Sequence, residues 1–249
     1  MSEKKMLDKK GVAATSESIP RRSFLLGAGT AVAAGLASTA DAQTQPAPQA
    51  AGSRGTPDSE PLLTLTPTEH AFMAAAADTM IPADELSPSG SDCGVAVFID
   101  RQLAGAYGNG ARLYRDGPFP KGKPELGYQL SLTPREFFRA GIQAANEWTH
   151  KTYGKDFDRL GPAEREAALK AMESGKAEFS GLSSSQFFDA LLQITMEGFF
   201  ADPIYGGNRD KAAWKMVGYP GLPATYREEI KTYFGKKYDK PPRSIADFS

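Results

Sequence analysis

Three acids are the first residues whose types and spacing could support chemistry. Asp78, Asp84 and Glu85 flank an Ile81-Pro82 turn, and two carboxylates in different environments can divide the acid and base roles of a hydrolytic step. That division needs a fixed separation, which a proline-broken loop does not supply, so a solvated loop is the expected reading. His70 lies inside a helically patterned stretch and His150 at the end of another, where an imidazole favours the helix dipole; both read as structural or surface residues. Cys93 is the only cysteine, and there are two histidines in the chain. Those counts exclude an internal disulfide, a cysteine-ligated iron–sulfur cluster and a C-x-x-C-H haem attachment, and argue against a histidine-rich metal site. Cys93 is left as a buried thiol or a bond to another chain. Gly105-Ala106-Tyr107-Gly108-Asn109-Gly110 is glycine-rich but follows a helical pattern, whereas a dinucleotide fingerprint must follow a strand; it reads as a helix cap and turn. Ser183, Ser184 and Ser185 lack the context of a nucleophile elbow.

A different chemistry is suggested by Glu197-Gly198-Phe199-Phe200-Ala201-Asp202-Pro203-Ile204-Tyr205-Gly206-Gly207-Asn208, with Trp214 close behind. Aromatic side chains on a loop held by Pro and Gly suit a protein–protein contact, because they bury a large area with little loss of freedom. Phe199, Phe200 and Trp214 could equally fill the domain's own core while Gly206 and Gly207 only turn the chain. Both readings stand at this point.

The elements that must position these residues are helical. Leu65-Thr66-Pro67-Thr68-Glu69 and Leu132-Thr133-Pro134-Arg135-Glu136 are capping-box starts with proline at the first helical position. The first leads through Phe72, Met73, Ala76 and Met80 to a stop at Ile81-Pro82. The second leads through Phe138, Ile142, Ala145 and Trp148, with Leu132 and Phe137 placed as a hydrophobic staple. Gly161-Pro162-Ala163-Glu164 opens a shorter charged helix to about Ser174. Ser183-Ser184-Ser185-Gln186 opens another, read as a capping box with a Leu182–Phe187 staple, and a helix is also expected between Cys93 and Tyr107. No alternating run bounded by hairpin turns occurs, so the fold class is all-α: a single irregular helical domain over 62–249 with long loops at 82–92, 108–133 and 201–225 and a polar tail from Lys236.

Ahead of this domain, Arg21-Arg22-Ser23-Phe24-Leu25 follows a lysine-bearing start and precedes an apolar run over 24–37 diluted by glycine. That run is short of the roughly 18 residues needed to span a bilayer. It reads as a twin-arginine export signal over 1–42, removed at Ala40-Asp41-Ala42. A flexible Pro/Ala/Gln-rich leader is expected over 43–61, too poor in large apolar groups to offset its ordering entropy. The full chain holds 29 basic and 30 acidic side chains; the signal takes six and four of them, leaving 23 against 26 over 207 residues, a formal charge of −3. A charge so small and well mixed argues against nucleic acid and offers no polybasic patch for anionic lipid.

The twin-arginine signal, the Asp78-Thr79-Met80-Ile81-Pro82 stop, and above all the segment 198–208 with Trp214-Lys215 and Gly218-Tyr219-Pro220-Gly221 resemble subunit 3, the small subunit, of gluconate 2-dehydrogenase. The resemblance covers roughly residues 62–225. It implies a membrane-associated dehydrogenase of sugars or sugar acids built from a large FAD-binding catalytic subunit, a multihaem cytochrome c and this accessory chain. The small subunit of that family carries no catalytic residues and no cofactor, and assists maturation and export of the flavin subunit. The partners so implied are the flavin subunit, the cytochrome and the twin-arginine translocase, with Cys93, Phe199, Phe200, Tyr205, Gly206, Gly207, Asn208 and Trp214 as partner-contact candidates. Cys93 could bond the flavin subunit covalently. The expected location is periplasmic, at the outer face of the inner membrane, held there through the complex. The alternative is a stand-alone periplasmic helical protein that binds a small ligand.

Overall fold

Residues 60–120, 122–123, 126–222 and 225–248 are described by a computed structural model. The signal residues Arg21, Arg22, Phe24 and Leu25, the cleavage residues Ala40 and Ala42, and the leader up to residue 59 lie outside the described residues.

Both Thr-Pro-x-Glu starts form as the sequence predicts. Helix α1 runs Pro67–Met80, where the Thr66 hydroxyl accepts from the Glu69 N–H and Glu69 Oε2 accepts from the Thr66 N–H at 2.7 Å. Helix α3, Pro134–Tyr153, repeats the arrangement between Thr133 and Glu136. Reciprocal caps of this kind satisfy main-chain donors that a helix start otherwise leaves unpaired. Between them α2 spans Val95–Ala104, shorter than the expected stretch because Gly94, at φ 80°, starts it late and Gly105 stops it. Helix α4 is Pro162–Glu173 and α5 is Ser184–Phe200.

At α5 only half of the expected box is made. Ser183 accepts from the Gln186 N–H, but the Gln186 amide donates to the Gly127 carbonyl at 3.2 Å. A main-chain acceptor on the neighbouring loop therefore takes the side chain that local pattern assigns to the cap. Two further helices, α6 (Ala212–Val217) and α7 (Arg227–Thr232), are too short to show helical periodicity. Among the described residues there is no strand, and a single parallel bridge joins Gly221 to Arg243, flanked by the Leu222 N–H donating to the Arg243 carbonyl at 2.8 Å. The polar tail is thus anchored back on the domain.

Phenylalanines fill the core. Phe72, Phe137, Phe138, Phe157 and Phe187 are fully buried, and the Phe187 ring on α5 meets Phe72 of α1 and both Phe137 and Phe138 of α3 at centroid distances of 6.1–6.3 Å. Each such ring contributes about 1.5–3 kcal/mol on leaving water. Close approach of α3 to α5 depends on Gly141, where an added Cβ would fall 2.1 Å from the Phe187 ring. Helix α2 packs against α1 and α5, which brings its N-terminus beside the end of α5.

Candidate partner-binding surface

The aromatic segment leaves α5 and folds over the N-terminus of α2. Asp202 caps a 3-10 turn, Pro203–Tyr205, by accepting from the Ile204 N–H at 3.0 Å, and its other oxygen accepts from the Ile245 N–H at 2.9 Å. The chain then passes through Gly206 at φ 99° and comes so close to α5 that a Cβ on Gly207 would lie 2.1 Å from the Gly198 carbonyl oxygen. Gly94 faces Gly206 from the other side, with its would-be Cβ 2.3 Å from the Gly206 carbonyl oxygen. These glycines are required by the contact of backbone with backbone.

Asn208 is the centre of this junction. It is fully buried and held at φ 47°, a left-handed conformation that asparagine tolerates better than other side chains. Its amide donates to the Ala201 carbonyl at 2.9 Å, and its Oδ1 accepts from the Ala213 N–H at 2.9 Å, so one side chain ties the end of α5 to the start of α6. The next residue, Arg209, donates its N–H to the Cys93 carbonyl at 3.0 Å. Trp214 is buried, and its indole N–H donates to the Phe200 carbonyl at 2.9 Å while its ring meets Tyr219 edge-on.

The two readings of the aromatic segment therefore divide by residue. Phe199, Gly206, Gly207, Asn208 and Trp214 are engaged in the domain's own packing. Phe200, 36% exposed, and Tyr205, 46% exposed, present area to the outside. Cys93 is 1% exposed, with its sulfur 3.8 Å from the Pro88 carbonyl oxygen. Burial, with the Asp92 carboxylate adding and Arg209 opposing, pushes its thiol up to about 11. A bond from Cys93 to another chain would first require the 88–94 turn to open.

Sequence reasoning missed the residues that hold the entry to the domain. Asp100 is buried in α2, and its carboxylate accepts from the N–H groups of Leu63, Thr64 and Leu65 at 2.6, 3.0 and 2.7 Å. Glu60 pairs with both Arg101 and Arg209, and Arg139 pairs with Glu69 at 2.9 Å while reaching the Thr64 carbonyl. An acid on the apolar side of α2, between Ile99 and Leu103, is the signal that could have exposed Asp100, because a buried carboxylate requires donors.

Asp78 and Asp84, two acids of the paired-carboxylate pattern, are turned to the adjoining loop. Asp78 accepts from the Ser91 N–H and hydroxyl at 2.8 and 2.9 Å, and Asp84 accepts from the N–H groups of Leu86 and Ser87. His150 lies at the surface with Nδ1 3.6 Å from Asp156. The Gly105–Gly110 stretch is the helix stop expected, with Gly105 N–H donating to the Arg101 carbonyl. Beside it is a largely apolar hollow of about 510 Å³, walled by Tyr107, Tyr128, Leu113 and Pro134 with Arg112 on its lining. Tyr128 stacks on Phe137 at 4.0 Å, and its buried hydroxyl has no hydrogen-bond partner among the described residues.

Compared with known families, residues 67–221 match the family described as gluconate 2-dehydrogenase subunit 3, more than half of the chain and including α1 to α6 and the whole aromatic junction. Comparisons with curated proteins and with solved structures gave no match.

Proposed function

The chain belongs to the gluconate 2-dehydrogenase subunit 3 family, and from that premise we propose that it is the non-catalytic small subunit of a membrane-associated, FAD-dependent dehydrogenase of a sugar or sugar acid. It assists folding of the flavin catalytic subunit, lends that subunit its twin-arginine signal at Arg21 and Arg22, and stays bound to it on the periplasmic side. FAD belongs to the catalytic subunit and haem c to a multihaem cytochrome. The match over 67–221 carries this reading. It is supported by the use of Asp78, Asp84 and Asp202 as main-chain acceptors, and by the exposed Phe200 and Tyr205 on a rigid junction.

The test is mild-detergent purification of the C-terminally tagged chain from its host's membranes, followed by an absorption spectrum and a non-reducing gel. Flavin and haem bands arriving with two larger chains are expected. A colourless single chain in the soluble fraction overturns the reading. Export is tested by Arg21→Lys with Arg22→Lys, which should leave dehydrogenase activity inside the cell; activity still found at the outer face refutes the export role.

A second reading, a periplasmic protein that binds a small ligand, is favoured by the hollow at Tyr107 and Tyr128. Its volume falls in the range of small-molecule sites, and its largely apolar walls carry one cation, Arg112. Thermal stabilisation of the isolated mature chain by sugar acids, abolished by Arg112→Ala, would support it.

A further inference from the structure

The C-terminal segment lies beyond residue 221, so the family match does not account for it. Helix α7 and the turn after it carry Ile230, 67% exposed, and Phe234, 86% exposed, four residues apart at the end of the helix. In the same segment Tyr226, Tyr233 and Tyr238 pack edge to face, with centroid distances of 4.9 Å between Tyr233 and Tyr238 and 6.1 Å between Tyr226 and Tyr238. The two exposed apolar side chains therefore stand in a segment whose own aromatic rings hold one another in place.

Charge is concentrated at the same place. From the start of α7 at residue 227 to residue 243 there are six basic side chains against three acids, Glu228, Glu229 and Asp239, whereas the rest of the expected mature chain has 17 basic against 23 acidic. Lys231 and Lys237 have exposed partners in Glu228 and Asp239, at 3.5 and 4.0 Å, too solvated to neutralise them firmly. Lys240 sits 5.4 and 5.8 Å from the Tyr233 and Tyr238 ring centroids. Lys236, two residues after Phe234, is exposed and makes no ion pair among the described residues. The near-neutral average of the chain conceals this local excess, which is why composition predicted no basic patch.

An aromatic and an aliphatic side chain standing free among lysines fit a surface with anionic headgroups above an apolar layer: the rings enter the interface while the lysine stems keep their ammonium groups among the phosphates. Nucleic acid would use the lysines but gains little from Ile230. The acidic excess of the remainder of the chain favours this end facing a negative surface. We propose that Ile230, Phe234 and the lysines at 231, 236, 237 and 240 form a contact with anionic phospholipid, by which this subunit touches the membrane directly. The inference deepens the subunit reading by adding a hold on the membrane that needs no partner. Its test uses no partner, so its failure leaves that reading untouched.

The mature chain from Gln43 is sedimented with vesicles of phosphatidylcholine alone and of phosphatidylcholine with about one-third phosphatidylglycerol, at low and at physiological salt. Binding to the anionic vesicles only, weakened by salt, is expected. Phe234→Ser should lower the partition coefficient roughly tenfold, and Lys236→Glu with Lys237→Glu at least ~25-fold, at about fivefold for each lysine lost. Lys155→Glu with Lys176→Glu, the same charge change on exposed residues elsewhere in the chain, should shift it less than about twofold, and circular dichroism should show every variant folded. Absence of binding to the anionic vesicles overturns the proposal. So does binding that neither the Phe234 nor the Lys236/Lys237 variant reduces, and so does retention of an oligonucleotide in preference to the vesicles.

Discussion

Replacing Asn208 by alanine separates an internal role of the Tyr-Gly-Gly-Asn turn from a direct contact with a partner. The substitution removes the bonds to the Ala201 carbonyl and the Ala213 N–H. Each is worth about 1 kcal/mol net, and the buried Ala213 N–H left unpaired adds about 1 more. Alanine at φ 47° costs roughly another 1 kcal/mol. The expected loss is about 3–5 kcal/mol, read in urea unfolding as a lower midpoint at unchanged slope. For a domain of this size it corresponds to a fall in Tm of roughly 6–20 °C. Asn208→Gly relieves the backbone term and should lose about 1 kcal/mol less. Asn208→Asp keeps the acceptor for Ala213 but sets a carboxylate against the Ala201 carbonyl, so it should not rescue stability at neutral pH. An Asn208→Ala chain within about 0.5 kcal/mol of the parent that fails to bind the flavin subunit would refute this reasoning and place Asn208 at the interface.

Four further outcomes follow from the same geometry. With its thiol held near 11 against an ordinary value near 9, Cys93 should react with Ellman's reagent at pH 8 at least ~100-fold more slowly in the folded chain than in denaturant; equal rates would show that the 88–94 turn opens freely. Because the folded thiol keeps its proton more firmly, its contribution to stability is complete below pH 9 and declines as pH rises from 9 to 11, by at most about 2–3 kcal/mol. Cys93→Ala should flatten that alkaline fall in Tm. Asp100→Ala should free the 60–66 segment, seen as new proteolytic cleavage there, and lower stability by about 3 kcal/mol. Phe200→Ser with Tyr205→Ser should leave Tm within about 2 °C while weakening capture of the flavin subunit at least tenfold.

The helix starts were legible because capping is local: Thr66 and Glu69, or Thr133 and Glu136, lie three residues apart and need no other part of the chain. Gln186 shows where that logic stops, since its better acceptor is Gly127, 59 residues away. The aromatic junction was legible as a distinctive segment but not as an interior one. Whether Phe199 or Phe200 faces inward depends on where α2 and α6 lie, which no spacing within 197–208 reveals. Helices α6 and α7 were hidden by their six-residue length, and the anchoring of the tail by its dependence on Gly221, Asp202 and Lys211.

The junction around Asn208 also imposes a schedule. Glu60 and Arg209 are 149 residues apart along the chain, yet they meet beside the start of α2. At about 5–20 residues per second on the ribosome, Glu60 emerges roughly 7–30 s, and the end of α2 roughly 5–20 s, before the Arg209 that closes over them. Until then Cys93 lacks the N–H that binds its carbonyl, and the Ala201 carbonyl at the end of α5 waits for the Asn208 amide. A chain interrupted before residue 208 would show these open edges to chaperones and proteases, whereas the closed junction distinguishes a finished chain from a nascent one.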